Sequence, residues 1–404
     1  MSDTSAWRIS STPGMHVRRL RDAYFRRLQT TTPATVRFCD RCVLSNQRPR
    51  LWIDPQGVCS ACHVARAKAE TDWSAREEEL LQLLDRYRSS DGQPDVIVPF
   101  SGGKDSAMVA YRLATEYDMH PLLATFSPLL YTEHGKANWT RACEAIPCTD
   151  IALFVPSAVH YQTLARLGFF VLGDPFLPFI YGVKAFPLRL ALERGIPLIM
   201  YAEDGEAEYG GGLHEGRPGH TTAVLVSDYF SGFPPDIWQR VGLSASALAP
   251  FTPPVESHVR AAGIHCAFFG YYHRWVPQEN YYYAVRHTGF RPNPERSEGT
   301  YSRYASLDDK LDGLHYYLGY IKFGLGRATS DAAHEIRDGH ITREEAVSLV
   351  HQYDGQFPTR YFPECLDFLG LTESAFWDIV DGFRPAHLWH HDKVMGGWHL
   401  KYEV

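Results

Sequence analysis

The sequence of 404 residues contains no uninterrupted apolar run of about 18 residues, the length that a membrane-spanning helix needs. Its first residues also lack the apolar core of a secretory signal peptide. Basic residues are not in excess, because 40 Lys and Arg stand against 47 Asp and Glu and the formal net charge is −7. We therefore expect a cytoplasmic protein that is not inserted in a membrane and does not bind nucleic acid through a broad basic face.

The two commonest nucleotide-binding loops are also missing. A Walker A loop requires Gly-x4-Gly-Lys followed by Ser or Thr, but Lys104 in "SGGKDS" is followed by Asp105. A Rossmann fingerprint requires Gly-x-Gly-x-x-Gly after a strand, and "GLGRAT" at Gly324 lacks the third glycine. Any nucleotide-binding loop in this chain must therefore be of another kind.

Four of the eight cysteines form two spaced motifs. "CDRC" provides Cys39 and Cys42, and "CSAC" provides Cys59 and Cys62, with sixteen residues in between. Two C-x2-C turns at this spacing are typical of a zinc ribbon, in which four thiolates bind one structural Zn²⁺. The residues between the motifs should form a hairpin, and turn residues such as Gly57 fit it.

Short apolar segments alternate with helical patterns from residue 95 onward. The apolar segments are DVIVPF, PLLATF, IALFV, IPLIMYA and IHCAFFG. This alternation predicts an α/β fold with an open parallel sheet and helices on both faces. The expected divisions are an N-terminal extension at 1–37, a zinc ribbon at 38–68, a bridging helix at 69–92, an α/β domain at 93–275 and a mainly helical region at 276–404.

"SGGKDS" follows the first apolar segment and precedes a helical pattern. Ligands bind parallel sheets at the carboxyl ends of the strands, which is where this loop would lie. Gly102 and Gly103 would let the backbone approach an anion closely, and the helix would present its free N–H groups. Lys104 would add a positive charge, and Ser101 and Ser106 would supply hydroxyl donors. The loop therefore predicts a phosphate site.

A second polar stretch, "MYAEDGEAEYGGG", follows the fourth apolar segment. Glu203 and Asp204 would therefore emerge beside the phosphate loop, with Glu208 shortly after them. Carboxylates at that place could hold Mg²⁺ against a leaving pyrophosphate. A solvated acidic turn is the alternative, although the glycines after Tyr209 favour a ligand-binding loop.

Ser-Gly-Gly-Lys-Asp-Ser resembles the PP-loop of the ATP pyrophosphatases, which include GMP synthetase, asparagine synthetase, tRNA-lysidine synthase and the tRNA thiolases. The resemblance implies that the domain at 93–275 cleaves ATP at the α-phosphorus, transfers AMP to a substrate oxygen and releases pyrophosphate. Lys104, Asp105 and Glu203 would be catalytic. The implied ATP-binding residues are Ser101, Gly102, Gly103, Lys104, Asp105, Ser106, Ala124, Thr125 and Phe126.

A longer part of the chain, from about Phe38 to about Arg384, resembles the N-acetyl sugar amidotransferases. The similar features are the cysteine module, "DWSAREEEL", the PP-loop, "EAEYGG" and the long stretch that begins "YASLDDKLDGLHYYLGYIKFGLGR". These bacterial enzymes of surface-polysaccharide and nonulosonate biosynthesis convert an acetamido group of a nucleotide-activated sugar to an acetamidino group. The resemblance implies ATP, Mg²⁺ and a structural Zn²⁺ as cofactors. One departure is Ala202-Glu203-Asp204, where Gly-Glu-Asn is common.

The implied reaction consumes ammonia. No cysteine lies in a nucleophile-elbow context, and residue 2 is Ser rather than the Cys of N-terminal-nucleophile glutaminases. We therefore expect ammonia from a separate glutaminase. The resemblance implies one similar to the glutamine amidotransferase subunit of histidine biosynthesis, with a cyclase-like companion.

The C-terminal region is dense in Tyr, His and Arg. Aromatic rings stack on sugars and Arg binds phosphates, so this composition suits a sugar nucleotide, but an aromatic-rich helical core explains it equally well. The candidate substrate residues are Tyr209, Asp308, Asp309, Lys310 and Arg327. "TREEAVSLVHQYDG" predicts a helix capped by Thr342, and the His-rich tail could bind metal, although a polar tail is favoured.

Two other functions compete with the amidotransferase. A tRNA-thiolating enzyme of the PP-loop family also adenylates a carbonyl oxygen, and Cys143 or Cys148 could carry its sulfur. The net negative charge and the lack of further C-x2-C pairs disfavour it. A zinc-stabilised nucleotide-binding scaffold without catalysis is the third possibility, and it predicts ATP binding without pyrophosphate release.

Overall fold

A parallel sheet of five strands forms the centre of the computed structural model, which describes residues 14–148, 150–394 and 396–404. The strands are β1 Val96–Pro99, β2 Pro121–Phe126, β3 Asp150–Phe154, β4 Leu198–Tyr201 and β5 His265–Phe268. Their order is β3-β2-β1-β4-β5, and all four pairings are parallel. The predicted open parallel sheet is confirmed, and each apolar segment contributes one strand. The strand order reverses between β1 and β4, which is where sheets of this kind bind ligands.

Helices connect the strands and make up most of the C-terminal region. The helices up to β5 are α1 Met15–Thr31, α2 Ser60–Glu70, α3 Trp73–Asp85, α4 Lys104–Thr115, α5 Glu133–Ala145, α6 Ala158–Leu172, α7 Leu177–Arg194, α8 Gly205–Glu208, α9 Leu225–Asp228, α10 Ala245–Leu248 and α11 Glu256–Ala261, with 3-10 turns at Thr222–Val224, Pro235–Val241 and Ala249–Phe251. After β5 follow α12 Phe269–Tyr272, α13 Pro277–His287, α14 Asp312–Phe323, α15 Arg327–Asp338, α16 Arg343–Tyr353, α17 Phe362–Leu369, α18 Glu373–Asp381 and an antiparallel hairpin of β6 Trp389–His391 and β7 Trp398–Leu400.

The central strands are buried on both faces, as the continuous apolar segments predicted. Alternate residues of β1 point to opposite sides of the sheet. Ile97 belongs to a core with residues of α6 and α7, whereas Val96 and Val98 belong to a core with residues of α3, α4 and α5. The expected helices on both faces are therefore confirmed.

The C-terminal helices pack on two different parts of the chain. Leu314 and Leu318 of α14 and Phe376 of α18 join the core of α6 and α7. Ala332 of α15 and Ala346 of α16 instead pack against the cysteine module. The C-terminal region thus connects the cysteine module to the α/β domain.

The expected hairpin of the cysteine module is present only as a short turn between the two motifs. Isolated antiparallel bridges join Phe38 to Ser45 and Ile53 to Cys59, and α2 begins directly after Cys59. Gly57 turns the chain with φ +81°, and a Cβ there would lie 1.8 Å from Asp40. Because the second C-x2-C motif forms the first turn of α2, few residues remain that could extend a hairpin.

The N-terminal extension includes α1, whose Leu20 and Tyr24 are buried in the core of α6 and α7. Residues 1–13 of the extension lie outside the described residues. No helix in the described ranges combines the length and the apolar character needed to cross a bilayer.

Candidate functional site

The phosphate loop lies between the end of β1 and the start of α4. Gly102 has φ +80°, and a Cβ at this position would lie 2.5 Å from the Cα of Trp139 on α5. Ser101 Oγ accepts a hydrogen bond from the Gly103 N–H at 3.2 Å, and Ser106 Oγ donates to the Gly103 carbonyl at 3.3 Å. Among the described residues, no side chain caps the N-terminus of α4 at Gly103. The helix therefore directs N–H groups without side-chain acceptors toward the loop, as anion binding requires.

Lys104 and Asp105 form an ion pair at the start of α4. Asn280 of α13 donates a hydrogen bond to Asp105 Oδ1 at 3.3 Å. The Lys104 ammonium lies 5.6 Å from the centroid of the Tyr304 ring. Residues from the C-terminal region therefore surround the loop, although sequence patterns gave no reason to single out Asn280 or Tyr304.

Glu203 follows β4 and lies across the strand-order reversal from the loop. Burial raises the pKa of Glu203 to about 7, and the charge of Asp105 adds to this effect while Lys104 opposes it. Ser101 of the loop and Glu203 line the same cavity, so Glu203 lies on the side of the sheet where the loop is.

A cavity of about 240 Å³ opens beside the phosphate loop. Ser101 and Glu203 line its polar end, and Ala124 and Phe126 of β2 line its apolar end. The lining is completed by Pro99, Phe100, Phe179, Val183, Lys184, Phe186, Pro187, Tyr201 and Ala202. An apolar wall next to a phosphate loop suits a heterocyclic base.

Thr125 is not part of this cavity lining. Its hydroxyl donates to the Phe100 carbonyl at 2.7 Å and accepts from the Trp139 indole N–H at 2.9 Å. Because Trp139 also contacts Gly102, Thr125 supports the shape of the loop from the opposite side of β2.

Asp204 is engaged by a cation of the chain itself. Arg217 donates to its two carboxylate oxygens at 2.7 and 3.2 Å, and the Glu206 N–H donates to Oδ1 at 3.1 Å. Burial raises the pKa of Asp204, and Arg217 opposes the shift. Asp204 therefore caps α8 and anchors the segment after β4 that carries Glu203, Asp204 and Glu208, here called the acidic loop.

Glu208 is likewise paired within the chain. Its carboxylate lies 2.9 Å from Lys68 Nζ of α2 and 3.1 Å from His334 Nε2 of α15. Burial favours the neutral acid, but the two neighbouring groups outweigh it and lower the pKa of Glu208 to about 2. Of the three predicted acidic ligands, Glu203 alone lines the cavity beside the loop.

Asp308 also reaches the phosphate loop. Its carbonyl accepts a hydrogen bond from the Thr132 N–H at 3.0 Å, which holds it at the start of α5. Burial and the charge of Asp312 raise the pKa of Asp308 to about 6, while the neighbouring Ser101 hydroxyl opposes the shift. The structure thus brings Asp308 to the site, from a part of the sequence far from the loop.

The other candidate substrate residues lie at different distances from the loop. Asp309 is buried, and its Oδ1 accepts a hydrogen bond from the Leu311 N–H at 2.8 Å. Lys310 pairs with Glu364 of α17 at 3.2 Å. The structure does not bring these two side chains together with the phosphate loop.

Tyr209 and Arg327 lie on the side of the site formed by α15. Arg327 donates to the Tyr316 hydroxyl and pairs with Asp331 at 3.0 Å. Burial raises the pKa of Tyr209, as does the charge of Glu203, while Arg327 opposes the shift. Tyr209 is therefore within electrostatic reach of both the acidic loop and the start of α15.

The four cysteines of the two motifs converge. The sulfurs of Cys39 and Cys62 are 3.8 Å apart, those of Cys42 and Cys59 are 3.6 Å apart, and all four lie within 4.8 Å of one another. Tetrahedral Zn–S bonds of about 2.3 Å place sulfurs about 3.8 Å apart, so the donor set fits Zn²⁺. Within the described ranges, no other group of three or more His, Cys, Asp or Glu is close enough to hold a metal, the tail histidines included.

Arg337 of α15 lies beside this cysteine cluster. Its Nη1 is buried without a hydrogen-bond partner, and its Nη2 donates to the Glu208 carbonyl at 2.7 Å. Burial opposes its charge, but the nearby thiols raise the pKa of Arg337. A guanidinium at this position suits four thiolates around one dication, which carry a net negative charge.

Residues 298–403 match the family model of the C-terminal domain of WbpG-like lipopolysaccharide biosynthesis proteins. A comparison with curated proteins finds no match. The matched range contains Asp308, which reaches the phosphate loop, and α15, which contacts both the acidic loop and the cysteine cluster. The C-terminal region of this chain is therefore similar to a domain of lipopolysaccharide biosynthesis proteins, which supports a role in the biosynthesis of such surface sugars.

Proposed function

We propose that this protein is a cytoplasmic, ATP-dependent amidotransferase that converts an acetamido group of a nucleotide-activated sugar to an acetamidino group. The observation that carries the proposal is the meeting of the phosphate loop after β1 with Glu203 after β4, beside a cavity that ends at Ala124 and Phe126. The similarity of residues 298–403 to a domain of lipopolysaccharide biosynthesis proteins supports a sugar substrate.

The first step would activate the amide. The amide oxygen attacks the α-phosphorus of ATP, the bond from that phosphorus to the bridging oxygen breaks, and pyrophosphate leaves. Lys104 and the N-terminus of α4 stabilise the pyrophosphate, because both direct positive charge at the loop. The product is an O-adenylated imidate, whose leaving group is far better than the original amide oxygen.

The second step would introduce nitrogen. Ammonia adds to the imidate carbon, the carbon–oxygen bond breaks, and AMP departs with the former amide oxygen. The excess proton passes to the solvent. A separate glutaminase, with a cyclase-like companion, would supply the ammonia.

Asp105 and Glu203 are the residues that would hold Mg²⁺ with the pyrophosphate oxygens. The charge of Asp105 disfavours ionisation of Glu203, and a bound cation would remove that repulsion. When bound, Mg²⁺ neutralises charge on the departing pyrophosphate. Asp204 and Glu208 then serve to hold the acidic loop through Arg217, Lys68 and His334.

The thiolation alternative requires a reactive thiolate. Burial and the neighbouring Cys148 raise the pKa of the Cys143 thiol to about 12, and burial also raises the pKa of Cys148. Thiols with raised pKa values are poor nucleophiles near neutral pH. These environments favour the amidotransferase over the thiolase.

The proposal is tested by incubating the protein with ATP, Mg²⁺, ammonium chloride and a panel of acetamido sugar nucleotides. AMP should form together with a sugar product whose mass shows a gain of ammonia and a loss of water. An oxygen-18 label in the acetamido carbonyl should appear in AMP. Lys104→Met should abolish AMP formation, whereas Lys136→Met, on the exposed face of α5, should not.

AMP formation that requires tRNA and a sulfur donor would overturn the proposal in favour of the thiolase. Loss of that activity in Cys148→Ala would support the same conclusion. ATP binding without any pyrophosphate release would instead indicate the non-catalytic scaffold.

A further inference from the structure

We infer that Lys184 binds the α-phosphate of the nucleotide, an assignment that rests on the proposed function. Lys184 lies on α7 and lines the same 240 Å³ cavity as Ser101, Ala124 and Glu203. The cavity runs from the end of β2, the expected place for adenine, to the first residue of the phosphate loop. The α-phosphate joins the ribose to the β-phosphate, so it must lie between these two ends, and Lys184 is a cation within that space.

The position of Lys184 follows from the close contact between α7 and β2. A Cβ at Gly182 would lie 2.2 Å from the Phe126 ring, so a glycine is required for α7 to approach β2 this closely. Lys184 follows two positions later on the same helix. The contact that shapes the apolar wall therefore also places Lys184 at the lining of the cavity.

Aromatic rings, rather than a directly paired carboxylate, contact the Lys184 ammonium group. Its Nζ lies 3.8 Å from the Tyr229 ring centroid and 4.5 Å from the Tyr201 ring centroid, and within the described ranges it forms no ion pair with a carboxylate. Asp204, the acid with the strongest influence on it, is already paired with Arg217. An anionic ligand would supply the missing partner, while the two rings hold the ammonium in place.

Burial lowers the pKa of Lys184 to about 8, although Asp204 and Glu203 oppose the shift. Bound phosphate would raise this pKa again, so binding and protonation are coupled. The titratable or charged groups that influence or contact Lys184 are Tyr201 on β4, Glu203 and Asp204 after β4, Arg217 and His220 in the following loop, Tyr229 after α9, and Cys266 on β5.

The inference is tested by calorimetric titration of the zinc-loaded protein with AMP and, separately, with inorganic pyrophosphate. Lys184→Met should weaken AMP binding about 10- to 100-fold, as expected for the loss of one charge-assisted hydrogen bond, and leave pyrophosphate binding within about twofold. Lys104→Met should weaken pyrophosphate binding more than AMP binding. Equal AMP affinity in Lys184→Met and the wild type would overturn the inference.

A pH series separates a direct contact from a structural role. In the wild type, AMP affinity should fall as the pH rises through about 8, because Lys184 loses its proton. Lys184→Arg should restore AMP binding and abolish this fall, since a guanidinium stays charged. A wild-type profile that stays flat from pH 7 to about 9 contradicts the inference.

Two controls keep the outcomes distinct. Unchanged zinc content and circular dichroism show that a variant has folded. If the wild type binds neither AMP nor ATP, the proposed function itself fails, whereas AMP binding that ignores Lys184 refutes only the present assignment.

Discussion

Gly102 lies where the phosphate loop passes closest to α5. Its φ of +80° favours glycine, and a Cβ would also meet the backbone of Trp139 at 2.5 Å. Two separate penalties therefore apply to any larger residue, and the second one pushes the loop away from the position it needs to bind an anion.

Gly102→Ala should therefore abolish measurable pyrophosphate binding and lower the thermal midpoint. Gly195→Ala is the matched control, because Gly195 has φ +68° but no atom within 4 Å of its added Cβ. Gly195→Ala should lower the free energy of unfolding by about 1 kcal/mol, and with it the thermal midpoint, through backbone strain alone. It should leave pyrophosphate binding intact. Similar binding in both variants would show that the approach of the loop to α5 is unimportant.

Glu203 should release a proton when Mg²⁺ and ATP bind together. With a pKa of about 7, about half of the Glu203 carboxyl groups are protonated at pH 7, and a cation favours the ionised form. Calorimetry at pH 7 in two buffers of different ionisation enthalpy should show about half a proton released per site. Glu203→Gln should release much less, whereas Glu133→Gln, on the exposed start of α5, should match the wild type.

Helix α15 approaches three of the predicted sites. Arg327 at its start lies toward Tyr209, His334 contacts Glu208, and Arg337 lies beside the cysteine cluster. A single helix thus lies against a predicted substrate residue, the acidic loop and the predicted metal site.

Arg337→Met should weaken zinc retention. Residues that support metal ligands typically contribute about 10- to 100-fold to metal affinity, and Arg337 is the cation beside these thiols. Competition with a chromophoric chelator measures the effect. Arg343→Met is the control, since Arg343 donates to the Cys42 carbonyl at 3.3 Å rather than to a sulfur. Equal zinc loss in the two variants would argue against a specific role for Arg337.

Elements were predicted from the sequence more completely than their contacts. Five apolar segments gave five strands, and Thr342 caps α16 in a capping box with Glu345, because these signals lie within a few residues of each other. The pairing of Asp204 with Arg217 and of Glu208 with Lys68 had no such local signal. Contacts between distant segments depend on the tertiary fold. For the same reason, the approach of Asp308 to Ser101 could not be derived from the sequence around either residue.

The cysteine module was also predicted in part from the sequence. The spacing of its motifs predicted the convergence of four sulfurs, which is confirmed. The predicted hairpin between them is present as one short turn, closed by the antiparallel bridge of Ile53 to Cys59, because α2 begins directly after Cys59. Metal-ligand spacing therefore constrains the ligands more tightly than the secondary structure between them.

At the scale of the whole molecule, Glu208 joins three regions of the chain. Lys68 comes from the cysteine module, Glu208 from the loop after β4, and His334 from the C-terminal helices. All three side chains are largely buried, so the loss of the carboxylate would remove two buried ion pairs, although Lys68 would still donate to the Trp275 carbonyl at 3.0 Å.

Glu208→Gln should lower the thermal midpoint strongly at pH 7. The pKa of Glu208 falls from its ordinary value of 4.5 to about 2, so its stabilising effect is present above pH 4.5 and is lost as the pH falls toward 2. The gap between wild type and variant should therefore narrow in thermal scans from pH 7 to pH 3. Glu79→Gln, which breaks the exposed pair with Arg76, should change the midpoint little. A gap that is independent of pH would contradict this account.

The pairing of β1 with β4 also has a kinetic consequence. Val96 pairs with Leu198, so the strand that precedes the phosphate loop and the strand that precedes Glu203 meet only after a long intervening segment has been synthesised and folded. A nascent chain that ends before β4 has the loop but not its acidic partner. Because such long-range pairing forms slowly, recovery of nucleotide binding during refolding should lag behind the return of helical signal.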